Sequence, residues 1–159
     1  TTSAMLTMTA GDALSVSVMN DRGFAEEDFA LTHPGGSLGK GLTQTVADNM
    51  ISTKLPLMNN DQFISDAIIV MTESKLGLAI IHKNNYLQGI ITDGDLRRLL
   101  LENQNLSSVK AENIMTTNPL TITKDKLMID AKNKMLEAKV QALVVTDKKN
   151  YIQGVIQIY

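Results

Sequence analysis

The 159 residues are 43% hydrophobic and 20% charged, which excludes a disordered chain and fits one large domain or two small ones. A net charge of −2 gives no basis for binding nucleic acid or an anionic membrane surface. The chain has no cysteine, which excludes disulfides, thiolate metal sites and a cysteine nucleophile and fits a reducing, cytoplasmic setting.

The longest apolar run, Ala67 to Met71, is far short of the roughly 20 residues a membrane span needs. No basic-then-apolar signal segment opens the chain. It begins at Thr1 rather than Met, so the reading is that more of a parent protein precedes it. Residues Ala4 to Asn20 place Met5, Met8, Leu14 and Val18 near helical spacing and predict a first helix. Gly23 suits its C-terminal cap. Glu26, Glu27 and Asp28 surround a short helical turn. His33-Pro34-Gly35-Gly36-Ser37-Leu38-Gly39-Lys40-Gly41 then reads as a loop, because four of its nine residues are glycine.

From about residue 45 onward the chain repeats itself with a period of about 65 residues. Ala47-Asp48-Asn49-Met50 matches Glu112-Asn113-Ile114-Met115. Leu78-Ala79-Ile80-Ile81 matches Ala142-Leu143-Val144-Val145. Tyr86-Leu87-Gln88-Gly89-Ile90-Ile91 matches Tyr151-Ile152-Gln153-Gly154-Val155-Ile156. The offset changes by one residue in the polar turns between the last two pairs, His82 to Asn85 and Asp147 to Asn150. Each copy predicts a short strand (Leu57; Leu120–Ile122), a helix (Ile64–Lys75; Leu127–Lys139) and two apolar strands joined as a hairpin. The first copy adds a helix from Asp93 to Glu102. The second reaches Tyr159 where its counterpart should begin. Neither copy can bury its sheet alone, so the two should pack face to face. Met50, Met71, Met115 and Met135 recur at matching positions and read as shared core.

Thr92-Asp93-Gly94-Asp95 stands where a strand turns into a helix. One reading is a capping box, with Asp95 reaching back to Thr92. The other is a ligand site: a helix start suits a phosphate, a fixed carboxylate suits a ribose diol, and Gly94 leaves room for close approach. Gln157 stands in the second copy where Thr92 stands in the first. Arg97 and Arg98 follow on the helix, about 100° apart, so only one can face a given cleft. Such arginines are ordinarily solvated, and Arg98 is the candidate phosphate clamp. His82 reads as a turn residue. His33, alone in its loop, reads as a surface or capping residue, and no metal-ligand spacing is present.

The repeat, with Gly89-Ile90-Ile91-Thr92-Asp93-Gly94-Asp95-Leu96, resembles a CBS domain, and the tandem copies resemble a CBS pair. The segments Thr1-Thr2-Ser3, Gly11-Asp12-Ala13-Leu14 and Phe29 to Gly39 resemble the tail of a SIS (sugar isomerase) domain, as in the arabinose-5-phosphate isomerase family. The resemblance implies an α/β fold: a tandem CBS pair with a pseudo-twofold, preceded by a SIS remnant. The implied boundaries are 1–44 for the remnant and linker, 45–104 for the first CBS repeat, and 110–159 for the second, which lacks its last helix.

The implied parent activity is interconversion of D-arabinose 5-phosphate and D-ribulose 5-phosphate for Kdo and lipopolysaccharide synthesis, with no catalytic cofactor or metal. His33 matches an active-site histidine of that family, a proton-transfer role suited to its near-neutral pKa. The pair itself is expected to be regulatory rather than catalytic. It would bind an adenine nucleotide, or the end product CMP-Kdo, through Thr92, Gly94, Asp95 and Arg98. The implied assembly is a dimer of modules within a tetrameric parent. The alternatives are a ligand-free oligomerisation module and a CBS pair from another kind of host.

Overall fold

The computed structural model describes residues 1–25, 28–29, 37–102 and 105–157, which fall into two compact units, Thr1–Gln44 and Thr45–Tyr159. His33, Glu26 and Glu27 lie outside the described residues.

In the first unit, helix α1 (Thr2–Asp21) ends where Gly23 predicts. Gly23 takes φ +63°, its N–H donates to the Asn20 carbonyl, and the Phe24 N–H donates to Met19. These two bonds form a Schellman cap that satisfies carbonyls the helix would otherwise leave open. The expected apolar face does not become a core. Met5, Met8 and Leu14 are exposed, and α1 buries no residue. Leu6 stands about 100° and Leu14 about 180° around the helix from Met5, so the apolar residues are spread around the helix instead of gathered in a stripe. A short helix, α2, follows at Ser37–Thr43.

The second unit contains both repeats. Its elements are α3 (Val46–Asn49), β1 (Leu57–Asn59), α4 (Ile64–Ser74), β2 (Leu78–Lys83), β3 (Tyr86–Thr92) and α5 (Asp93–Leu101). Then come β4 (Thr116–Thr117), β5 (Thr121–Ile122), α6 (Met128–Ala138), β6 (Ala142–Thr146) and β7 (Ile152–Gln157). Within each copy the first strand lies parallel to the second, and the second and third form an antiparallel hairpin. Both long helices end at a lysine in the left-handed conformation, Lys75 (φ 59°) and Lys139 (φ 54°).

The hairpins explain the one-residue change of offset. Asn84 and Asn85, at φ 54° and 65°, make the tight two-residue turn of the first copy. The second loop is one residue longer. It is tied by Asp147 Oδ1, which accepts N–H bonds from Lys149 and Tyr151 at 2.8 Å.

Strands β2 and β6 carry nearly continuous apolar runs because both of their faces are covered. One face packs on helices. Ala79 and Ile81 join Ile64, Ala67 and Met71 in one core, while Leu143 and Val145 join Ala131 and Met135 in another. The other face packs on the opposite sheet, where Leu78, Ile80 and Leu87 meet Val144, Ile152 and Val155. The pseudo-twofold passes between Tyr86 and Tyr151, whose rings meet edge to face at 5.7 Å. Equivalent bonds flank it: Leu87 N–H donates to the Asn150 carbonyl at 3.1 Å, and Ile152 N–H donates to the Asn85 carbonyl at 3.0 Å.

The segment that leads into each copy crosses to the other copy. Val46 of α3 is fully buried in the core of the second repeat, and Ala111 in the core of the first. Strand β4, at the start of the second repeat, pairs with β3 of the first. Symmetrically, Ile51 exchanges two N–H···O bonds with Val155. Two glycines at matching repeat positions admit these crossings. A Cβ on Gly89 would lie 2.7 Å from the Thr116 carbonyl oxygen, and one on Gly154 would lie 2.7 Å from that of Ile51. A methyl at either position must push backbone away. Gly89→Ala and Gly154→Ala are each expected to cost about 1–3 kcal/mol. At Gly94 a Cβ would meet nothing closer than 3.6 Å, so Gly94→Ala should match or exceed the parent in the same melts. An unchanged Tm for both repeat-glycine variants would show that the crossings are loose.

Candidate functional site

The site grows from the turn between β3 and α5. Thr92 is extended (φ −112°, ψ 166°), and the chain becomes helical at Asp93. Asp95 Oδ2 accepts the Thr92 N–H at 2.8 Å and the Thr92 hydroxyl at 2.7 Å, while Arg98 bonds its other oxygen. Partial burial pushes the Asp95 carboxyl up, but the Thr92 donors and the Arg98 guanidinium together outweigh it and hold the group below the usual carboxylate range. The same device occurs at the start of α3, where Asp48 Oδ2 accepts the Thr45 N–H at 2.8 Å and its hydroxyl at 2.7 Å. Asp48 is likewise held below its ordinary value, chiefly by the Thr45 hydroxyl. Threonine followed three residues later by aspartate is therefore a helix cap in its own right in this chain.

Next to that turn, lined by residues of both sheets, lies a cavity of about 510 Å³. Leu78 and Ile90 of the first copy and Ala142 and Val144 of the second give it apolar walls. Thr92, Asp93 and Gly94 line one side, and Asn118, Lys139 and Gln157 also border it. Gln157, the counterpart of Thr92, donates through Nε2 to the Leu76 carbonyl at 2.8 Å and so ties the second copy to the first at the cavity edge.

Of the residues singled out in the sequence, Thr92 and Gly94 lie on the cavity lining. Asp95 and Arg98 do not: Asp95 sits behind Thr92 as its cap, and Arg98 is held on Asp95. Sequence reasoning missed Asp93, Asn118 and Lys139. Asp93 was in view inside the Thr92–Asp95 motif; the other two were signalled only by symmetry, since Lys139 matches Lys75 as a helix-ending residue and Asn118 (φ 53°) matches Lys54 (φ 51°). Among the described residues no cluster of three or more potential metal ligands occurs, and no helix is long and apolar enough to cross a membrane.

Comparison with known proteins adds three findings. Residues 46–102 and 111–158 match the CBS domain family. The chain is 40% identical over 160 residues to the arabinose 5-phosphate isomerase KpsF of Escherichia coli, covering 100% of this chain and 49% of that protein. It is 37% identical over 161 residues to the arabinose 5-phosphate isomerase KdsD of Yersinia pestis, again with 49% of that protein covered. The chain thus spans about half the length of the curated relatives it matches. Among solved structures, CBSX2 in complex with AMP is similar at a TM-score of 0.63 and 28% identity, covering 72% of this chain and 90% of that one.

The capping geometry sets a pH dependence. A carboxyl lowered in the folded state stabilises fully above its unfolded value of 3.8 and loses that contribution as pH falls through the lowered native value. Asp95→Ala should cost about 1 kcal/mol in urea unfolding at pH 7, and the gap to the parent should narrow as pH falls below 3.8 and through the lowered native value. A gap that persists at low pH would mean that the carboxylate charge is not what caps α5.

Proposed function

The chain belongs to the CBS domain family, and on that premise we propose that its tandem pair is the nucleotide-binding regulatory part of an arabinose 5-phosphate isomerase. The observation that carries this reading is the cavity between the two repeats, bordered by Thr92 and Gly94 and walled by Leu78, Ile90, Ala142 and Val144. Its volume lies in the range of sites that hold one small organic ligand. The AMP complex of CBSX2, a protein of the same fold at 28% identity, supports an adenine nucleotide as occupant. The identity to KpsF and KdsD along the whole chain supports an isomerase as host. In that reading residues 1–44 close a sugar-isomerase domain, residues 45–104 and 110–159 are the two CBS repeats, and His33 belongs to the active site of the parent. The fragment itself binds and does not turn over substrate. Asp95 and Arg98 serve the nucleotide site by holding Thr92 in place.

Regulation requires that the ligand favour one arrangement of the module over another. The cavity meets that condition in outline, because its walls come from both copies and a ligand there bears on how they pack. Association of modules into a homo-oligomer belongs to the same reading. Ile69, Leu100 and Leu136 are each more than half exposed on helices of the unit and offer apolar surface for it.

A thermal-shift screen with AMP, ADP, ATP, CMP and CMP-Kdo tests the proposal. A nucleotide at about 100 times its Kd should stabilise the pair by about 2.7 kcal/mol, a shift of several degrees. Gly94→Leu, which fills the cavity wall where the helix start is open, should abolish that shift while the variant stays folded. No shift with any of the five would sink the regulatory reading and leave an oligomerisation module.

A further inference from the structure

We infer that the cavity selects a nucleoside bearing at most one phosphate and rejects nucleoside di- and triphosphates. The inference rests on the nucleotide-binding reading and adds a charge rule to it.

Among the described lining residues only Asp93 and Lys139 carry ionisable side chains. A helix start ordinarily attracts phosphate through its free N–H groups and positive dipole end. At α5 that attraction is largely used up. Asp93 and Asp95 put two carboxylates in the first turn. The Asp93 N–H donates to the Gly77 carbonyl at 3.2 Å. The guanidinium fork that best grips a polyphosphate is drawn through Nη2 to Asp95, and Arg98 is not on the lining. Arg97 is not on the lining either.

That leaves Lys139. It caps α6, so it stands at the end where the last helical carbonyls already make the potential negative. One ammonium group can neutralise a single phosphate. Each further phosphoryl group brings at least one more negative charge toward Asp93, Asp95 and the α6 carbonyls, and among the described lining residues no second cation meets it. The apolar walls, by contrast, suit the flat base and need no charge. The cavity therefore takes its affinity from the base and ribose, and phosphate contributes through one lysine.

Isothermal titration of the whole chain with adenosine, AMP, ADP and ATP in magnesium-free buffer tests the rule. Affinity should fall from AMP to ATP by about tenfold or more, the ratio that one unmet charge at an exposed cleft can set. Lys139→Met should weaken AMP by about fivefold and leave adenosine unchanged, and Asp93→Asn should tighten ATP and narrow the AMP-to-ATP ratio. ATP binding as tightly as AMP would overturn the charge rule and leave the nucleotide reading standing. AMP binding untouched by Lys139→Met would overturn the role given to that lysine. No binding by any of the four would overturn both the rule and the reading beneath it.

Discussion

Neither sheet of this pair has a free apolar face to spare, and that shortage organises everything else. A three- or four-stranded sheet with helices on one side still exposes its second face. Here each copy covers that face with the other copy. Burying one large aliphatic side chain contributes about 1.5–3 kcal/mol, and the seam between the sheets contains seven buried ones, from Leu76 to Val155. The crossed lead-ins add a second tie, because Val46 and Ala111 complete cores to which they are not adjacent in the chain. The cavity is lined by strand residues of both copies, so its walls belong to both halves of this arrangement. A site placed there depends on the packing of the pair and not on either repeat alone.

Much of this was legible in the sequence because repetition states it twice. The long helices fall within a residue or two of their expected bounds, each ending one residue early at the left-handed Lys75 and Lys139, and the two apolar strands of each copy form the expected hairpin. Asparagine at the first turn and the added residue at the second account for the change of offset. The crossings were not legible. The match of Ala47–Met50 with Glu112–Met115 marks where each copy begins, but a one-dimensional pattern carries no information about which sheet those residues will touch. The glycines at 89 and 154 were visible as a matched pair, yet only the approach of a second backbone shows why a side chain is unwelcome there.

The site was legible in part for a related reason. Thr92 and Gly94 stand in a motif contiguous in sequence, and the structure puts them on the cavity. Asp93 stands inside the same motif, whereas Asn118 and Lys139 come from two other segments that join it only after folding. Asp95 shows how one motif carries two meanings. Its carboxylate was read as either a cap or a ribose ligand, and in the structure its oxygens already engage the Thr92 and Arg98 donors. The matching cap of Thr45 and Asp48 at α3 shows that the arrangement needs no ligand to exist. What distinguishes the α5 turn is its place on the wall of the cavity that both copies line.

The crossed lead-ins also bear on how the chain can be made. As the polypeptide emerges from the ribosome, the first repeat lacks Ala111 and β4 until the start of the second has been synthesised. The second repeat, in turn, needs Val46, which is made long before it. The first repeat must therefore wait, incomplete, with one sheet face and one core open, and the last contacts to form join residues about a hundred positions apart. Contacts of such long range slow folding. The two repeats are thus separate in pattern, but neither completes its core without the other.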